Sequence, residues 1–284
     1  MRLMKKRTIF LIWGGFILMA IAGIIWLTHE KRTETHKITV AVIEDSPAEK
    51  RAGGFTKIKN VILYIDEASM LNALDDDTVD AVLIDFLTGL AMIKTGEYSN
   101  LELAGNLIDR ENTAVAFHNE DHALRQVINE ALKKIIDNGT YALISHSYFG
   151  LNILSKYEFN DDQLDEIKAT DNSWLRIQQS GELNVAVYEN NWPFSYFDDD
   201  NELTGFIIDI AKSVCRELGI GFNPIVYPRD EIIEGLKNRY FDCIWSNITV
   251  PDSENKTVCF SNSYYASGLQ LIVKKGSKIK DLDS

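Results

Sequence analysis

Beyond residue 37 the chain falls into short apolar runs separated by helical stretches. Residues 38–43 (ITVAVI), 61–64 (VILY) and 79–85 (VDAVLID) are brief and rich in β-branched residues, which predicts buried strands. Residues 67–74 and 86–94 read as helices, and residues 101–104 (LELA) as a further strand. A second block opens with the strand GELNVAV at residues 181–187. It passes through an aromatic turn, NWPFSY at 191–196, and enters a helix at Gly205 and Phe206. Strands that alternate with helices predict a parallel α/β sheet.

The first 36 residues have a different pattern. Arg2, Lys5, Lys6 and Arg7 precede an unbroken apolar run over residues 9–27, with Trp13 and Trp26 near its ends. At 1.5 Å per residue that run extends about 28 Å, close to the thickness of a hydrocarbon core. The basic flank places the N-terminus in the cytoplasm and everything after Leu27 outside. The expected localisation is therefore the cell membrane, single-pass, with the C-terminal part extracytoplasmic. A cleaved signal peptide is the rival reading, because Ala20 and Ala22 frame a small-residue site. The apolar run continues past that site to Leu27, which favours an uncleaved anchor. No cysteine follows the run, which argues against a lipid anchor, and residues 28–36 read as a polar linker.

Composition narrows the function classes. The 284 residues are 45% hydrophobic and 25% charged, with a formal net charge of -13. That charge argues against a nucleic-acid surface, which needs clustered Lys and Arg. Three cysteines, Cys215, Cys243 and Cys259, do not make a disulfide framework. Cys215 and Cys243 sit in apolar patterns and read as core, and a Cys243–Cys259 bridge stays open. Neither C-x-x-C nor H-E-x-x-H occurs, and the five histidines are scattered, so no metal or other cofactor is expected.

Several stretches in order carry a family resemblance: residues 181–187, 191–196 and 202–211 (ELTGFIIDIA), then YFDCI at 240–244, SNIT at 246–249 and FSNSYY at 260–265. GLQLIVKKG at 268–276 closes the series as a strand leaving through a hinge. Together they resemble the first lobe of the family 3 extracellular solute-binding proteins, which have the type 2 periplasmic-binding fold. Residues 79–85 look like the second lobe of the same family, where a strand ends in a ligand-facing Asp. TAVAF at 113–117 looks like the returning hinge strand, and 123–136, 137–141 and SYFG at 147–150 look like the C-terminal helices and closing motif.

The resemblance implies an α/β, two-lobed fold in which lobe two and the closing helices come first and lobe one last. This is the order of a circular permutant. The expected division is an anchor and linker at 1–36, lobe two with closing helices at 37–150, a polar and acidic linker at 151–172, and lobe one at 173–284. A tandem receptor cut short and two half-domains that do not pair are the competing arrangements. Permutation at exposed connections is tolerable because the entropy of closing a linker grows slowly with length.

In an open α/β sheet, ligands bind beyond the carboxyl ends of the strands. In the family an aromatic wall, a bidentate Arg and a lobe-two Asp take an amino acid there. Here Asp85 matches the ammonium-binding Asp, or else merely caps the helix starting at Phe86. Ser246, Asn247 and Thr249 match the loop that meets the carboxylate, or else cap it locally. Trp192 and Tyr196 match the aromatic turn, with Trp192 as the wall and Phe194 as core. Glu254 stands where the family has its carboxylate-binding Arg, and Arg229 stands at the aromatic stacking position, unless it is a solvated helix-start residue. DSP at 45–47 replaces the usual Gly-Thr-Thr, with Asp45 able to cap the helix. Glu254, Asp45 and Asp85 together imply a cationic or amine ligand, or no small ligand at all.

Three functions compete. One is a membrane-anchored solute receptor serving an ABC-type transporter. The second is the sensory ectodomain of a signalling receptor. The third is an enzyme, disfavoured because no nucleophile–base or carboxylate pair stands at recognisable spacing. The expected partners are a small amino-acid or amine ligand, the membrane through residues 9–27, and a permease or signalling protein.

Overall fold

The computed structural model describes residues 37–156, 170–248 and 258–282. The apolar segment at 9–27, most of the linker, Thr249 and Glu254 lie outside the described residues. Among the described residues no helix is long and apolar enough to cross a membrane.

The first half begins with β1 (Ile38–Ile43), α1 (Pro47–Ala52), β2 (Ile58–Tyr64), α2 (Glu67–Asp75), β3 (Ala81–Asp85) and α3 (Phe86–Lys94). β1 lies between β2 and β3, parallel to both, as βαβ crossovers require. Ser46, not Asp45, caps α1: its hydroxyl accepts from Glu49 N at 3.2 Å, while Asp45 has a positive φ of 58°. The Asp45 backbone N–H instead donates to the Glu49 carboxylate at 2.6 Å, while the N–H of the N-cap Ser46 goes to Ile43 O. β4 (Leu101–Thr113) runs far past the strand predicted at 101–104. The crossover back is split, with β4 ending at Thr113 and β5 starting anew (Ala116–His118).

Two helices, α4 (His122–Asp137) and α5 (Thr140–Phe149), close this half, and α6 (Ser173–Ser180) follows the linker. The second half contains β6 (Glu182–Val187), a small β7–β8 ribbon (Tyr196–Phe197 and Leu203–Thr204) and α7 (Phe206–Leu218). β9 (Gly221–Val226), α8 (Ile232–Lys237), β10 (Cys243–Ile244), β11 (Val258–Phe260) and β12 (Tyr265–Lys274) complete it.

Two five-stranded sheets result, in the orders β2-β1-β3-β12-β4 and β11-β5-β10-β6-β9. Each has a parallel trio and then a fourth strand borrowed from the other half of the chain. β12 pairs antiparallel with β3 and β4, and β5 pairs antiparallel with β10 and β11. The two crossings run side by side, with Tyr264 N donating to Thr113 O and Ser261 N to Val115 O. The Ser261 hydroxyl in turn accepts from Val115 N at 2.9 Å.

Both sheets are covered on two faces. α1 and residues 279–282 pack on one face of the first sheet, where Ala48, Ala52 and Leu282 meet Val40, Leu83 and Leu271. α2 covers the other face. α4, α5 and α7 bury one face of the second sheet around Phe117, Phe206 and Trp245, and α8 covers its reverse. The end of the described chain lies against its beginning: Lys57 Nζ reaches Asp281 Oδ1 at 2.7 Å, and buried Leu282 shares a core with Ile38.

None of Cys215, Cys243 and Cys259 is in a disulfide. Cys243 and Cys259 pair with Phe117 from opposite sides, so β5 separates them. Two strand spacings are about 9.6 Å, beyond the reach of a disulfide. The bridge left open by the sequence is therefore absent.

Candidate functional site

A cavity of about 470 Å³ lies between the two sheets, at the carboxyl ends of their parallel strands. From the first half it is lined by Ile43 at the end of β1, Asp85 at the end of β3, and Glu67 and Thr88 at the starts of α2 and α3. From the second half, Asn191, Trp192 and Phe194 follow β6, Arg229 follows β9 and Asn247 follows β10.

Asp85 combines both roles open to it. Its Oδ1 accepts from Thr88 N at 2.9 Å and Thr88 Oγ1 at 3.1 Å, which caps α3. Its Oδ2 accepts from the Ser267 hydroxyl on β12, and the residue lines the cavity. Burial pushes its carboxyl above the usual range, opposed by the hydrogen bonds from Ser267 and Thr88.

The acidic wall continues on β4, where Asp109 and Glu111 share the cavity face. Here β4 is irregular. Opposite Ser267 and Leu269 of β12 stand Glu111 and Ile108, so β4 carries one residue more. Asp109 adopts a φ of 49° within this bulge, a device that bends a strand and re-aims its side chains. Asp109 is partly neutralised by Arg51, whose Nε lies 2.7 Å from Oδ2.

The opposite wall is aromatic and neutral, apart from Arg229. Backbone hydrogen bonds from Phe194 N and Ser195 N to Asn191 O close the turn. Pro193 O and Phe194 O then accept from Phe206 N and Ile207 N, so the turn itself satisfies the first N–H groups of α7. Gly205 makes this approach possible: its φ is 123°, and an added Cβ would stand 2.4 Å from Phe194 O. Phe194 is buried and stacked on Tyr265 at 5.8 Å between centroids, whereas Trp192 stays 37% exposed at the rim. The Tyr265 hydroxyl donates to Asn247 Oδ1 at 2.8 Å and fixes that amide at the cavity. Arg229 precedes α8, exposed, with its guanidinium 5.3 Å from the Tyr188 ring centroid.

The cavity thus gathers Asp85, Trp192, Arg229 and Asn247 among the residues singled out in the sequence. Tyr196 lies in the β7–β8 ribbon, away from the lining. Ser246 is fully buried, its hydroxyl accepting from Tyr188 N at 3.3 Å, and it does not reach the cavity. Asp45 is likewise not in the lining. The sequence reading missed Glu67, Asp109, Glu111 and Ser267. The first was hidden as an ordinary first-turn acid. The next two fell beyond the predicted end of their strand, and Ser267 lay just before the segment read as a hinge.

Comparison with known proteins gives these residues a context. Residues 183–281 match the family described as bacterial extracellular solute-binding proteins, family 3. The L-cystine-binding protein TcyJ of Escherichia coli (strain K12) is 30% identical over 103 residues, 36% of this chain and 39% of that protein. An L-arginine-binding protein of Pseudomonas aeruginosa is 33% identical over 89 residues, 31% of this chain and 34% of that protein. The chain therefore spans well under half the length of these curated relatives. Among solved structures, the arginine-bound form of domain 1 from TmArgBP is 26% identical, over 35% of this chain and 85% of that one, with a TM-score of 0.30. Residues 183–281 are thus the part of the chain that is similar to the bacterial extracellular solute-binding proteins, family 3.

Proposed function

We propose that this chain is a membrane-anchored, extracytoplasmic solute-binding protein that takes a small amino-acid-like or amine ligand between its lobes and serves an ABC-type transporter. One observation carries the reading. The carboxyl ends of both parallel trios converge on one cavity, of a size usual for small ligands. The related proteins named for cystine and arginine suggest the ligand class. The reciprocal exchange of β5 and β12 supports a permuted lobe order within a single binding unit. The apolar run at 9–27 supports the anchor.

Charge selects among ligands. Among the described residues, Glu67, Asp85, Asp109 and Glu111 line the cavity against one guanidinium, that of Arg229. In a closed, weakly screened site an anionic ligand meets repulsion that a cationic one does not. Trp192 at the rim is placed to add cation–π attraction. The test is a thermal-shift screen of the full chain against acidic, neutral and basic amino acids and polyamines. Binding raises the melting temperature by mass action. Basic amino acids or polyamines are expected to stabilise it most. Stabilisation by glutamate or aspartate with none by amines would contradict the charge reading, and silence across the panel would contradict small-ligand binding altogether.

A further inference from the structure

We propose that Ser267 is a positioning residue that holds Asp85 as the anionic contact for a ligand ammonium. This rests on the amine-binding reading above. Ser267 reaches Asp85 across 182 positions of sequence, because β12 is the strand the second half lends to the first sheet. It stands at the bulged register, where Glu111 is its partner on β4. Next to it the two strands pass very close: a Cβ on Gly268 would lie 2.7 Å from Ile108 O. The strand pair therefore holds the serine backbone firmly in place.

The carboxylate geometry divides the labour. Oδ1 is occupied by the Thr88 backbone and hydroxyl, and belongs to the helix cap. Oδ2 takes the Ser267 hydroxyl as a donor, and a carboxylate oxygen accepts more than one. Its remaining lone pair is the capacity left for an ammonium. The cap and the serine fix both torsions of the side chain, so a ligand meets an oriented acceptor rather than one it must order.

The same bond bears on whether that acceptor is charged. Burial favours the protonated acid and the serine favours the carboxylate. Among the described residues the other ionisable groups at the cavity are Glu67 on α2, Asp109 and Glu111 on β4, Tyr265 on β12 and Arg229 after β9. Arg51 on α1 neutralises Asp109. The acids oppose ionisation of Asp85, and among the described residues Arg229 is the cation of the lining that favours it. Loss of the serine hydroxyl raises the pH at which Asp85 becomes charged.

The experiment follows Asp85 and the ligand separately. The carboxyl carbon of Asp85 is titrated by NMR in the ligand-free, 13C-aspartate-labelled full chain, assigned by its disappearance in Asp85→Asn. L-arginine binding is measured over the same pH range. In Ser267→Ala the Asp85 midpoint should rise by roughly one unit, and the acid limit of L-arginine binding should rise with it. Ser267→Thr, which keeps the hydroxyl, should restore both. If the alanine variant does not fold, Ser267→Cys, whose thiol is a weak donor, should give a smaller upward shift. An unchanged Asp85 midpoint in the folded variants overturns the inference, whether or not L-arginine binds. A shifted midpoint with no L-arginine binding by any form upholds the coupling of Ser267 to Asp85 and removes the ligand reading instead.

Discussion

The two sheets share one plan and face the same cavity with opposite chemistry. In each, the second strand, first strand and third strand lie side by side, then a strand from the other half, then the fourth. Their interiors follow the same rule, with Val40, Val42 and Leu83 buried in one and Val185, Val187 and Cys243 in the other. At the strand ends they diverge. The first sheet presents Glu67, Asp85, Asp109 and Glu111, and the second presents Asn191, Trp192, Asn247 and Arg229. Apolar burial along the strands sets the architecture, and a few residues past each strand set what it can recognise.

The shared plan can be broken from either side. Phe117 on β5 and Leu271 on β12 are buried in sheets to which the neighbouring sequence does not belong. Phe117→Ala should cost about 3–5 kcal/mol and Leu271→Ala about 2–5 kcal/mol in urea unfolding. Because each strand completes the other half's sheet, both variants should unfold in one transition. Two separate transitions, one moved by each substitution, would show that the halves are independent.

Gly205→Ala attacks only the aromatic wall. Its left-handed φ and the contact with Phe194 O predict a loss of about 3 kcal/mol. Thermal denaturation within about 0.5 kcal/mol of wild type would mean that the turn and α7 can separate cheaply.

Asp85→Asn addresses the acidic wall. A lost charge-assisted hydrogen bond is worth about 1.5–3 kcal/mol, so amine affinity should fall by roughly ten- to a hundredfold. Stability should respond in the opposite sense. The Asp85 carboxyl is raised in the folded state, so its stabilising contribution is complete below the ordinary value of 3.8 and declines as pH rises through the folded value. The ligand-free asparagine variant should therefore be at least as stable as wild type at pH 7, with the advantage vanishing toward pH 3. Urea titrations at the two pH values check this, and Asn remains a good helix cap.

Much of the fold was legible because it depends on apolar runs. The strand at 38–43 and the helix at 86–94 appear as read, and the strand read at 181–187 begins one residue later, at Glu182. The length of β4 was not legible, since residues 105–113 are polar and include a bulge. Only pairing with β12 makes them a strand. The site was partly legible for the same reason. Asp85 and Asn247 end apolar runs and so announce themselves, whereas Ser267, Asp109 and Glu111 reach the cavity through register. Tyr196 and Ser246 stand in motifs that point to the site, yet one lies in a ribbon and the other is buried.

The smallest effect should come from the rim. Trp192→Ala removes a partly exposed ring, and a cation–π contact there is worth about 0.5–1 kcal/mol, or two- to fivefold in affinity. Titration calorimetry with L-arginine should show that loss with an unchanged melting temperature. A larger effect than that of Asp85→Asn would move the centre of recognition from the acidic wall to the aromatic one.

The most direct measurement is a crystal structure of the chain with the amine that stabilises it most. An ammonium or guanidinium nitrogen should lie within about 3.2 Å of Asp85 Oδ2, with the Ser267 bond intact and Trp192 over the ligand. A ligand held elsewhere, or one whose carboxylate pairs with Arg229 while Asp85 contacts nothing but Thr88 and Ser267, would contradict the account.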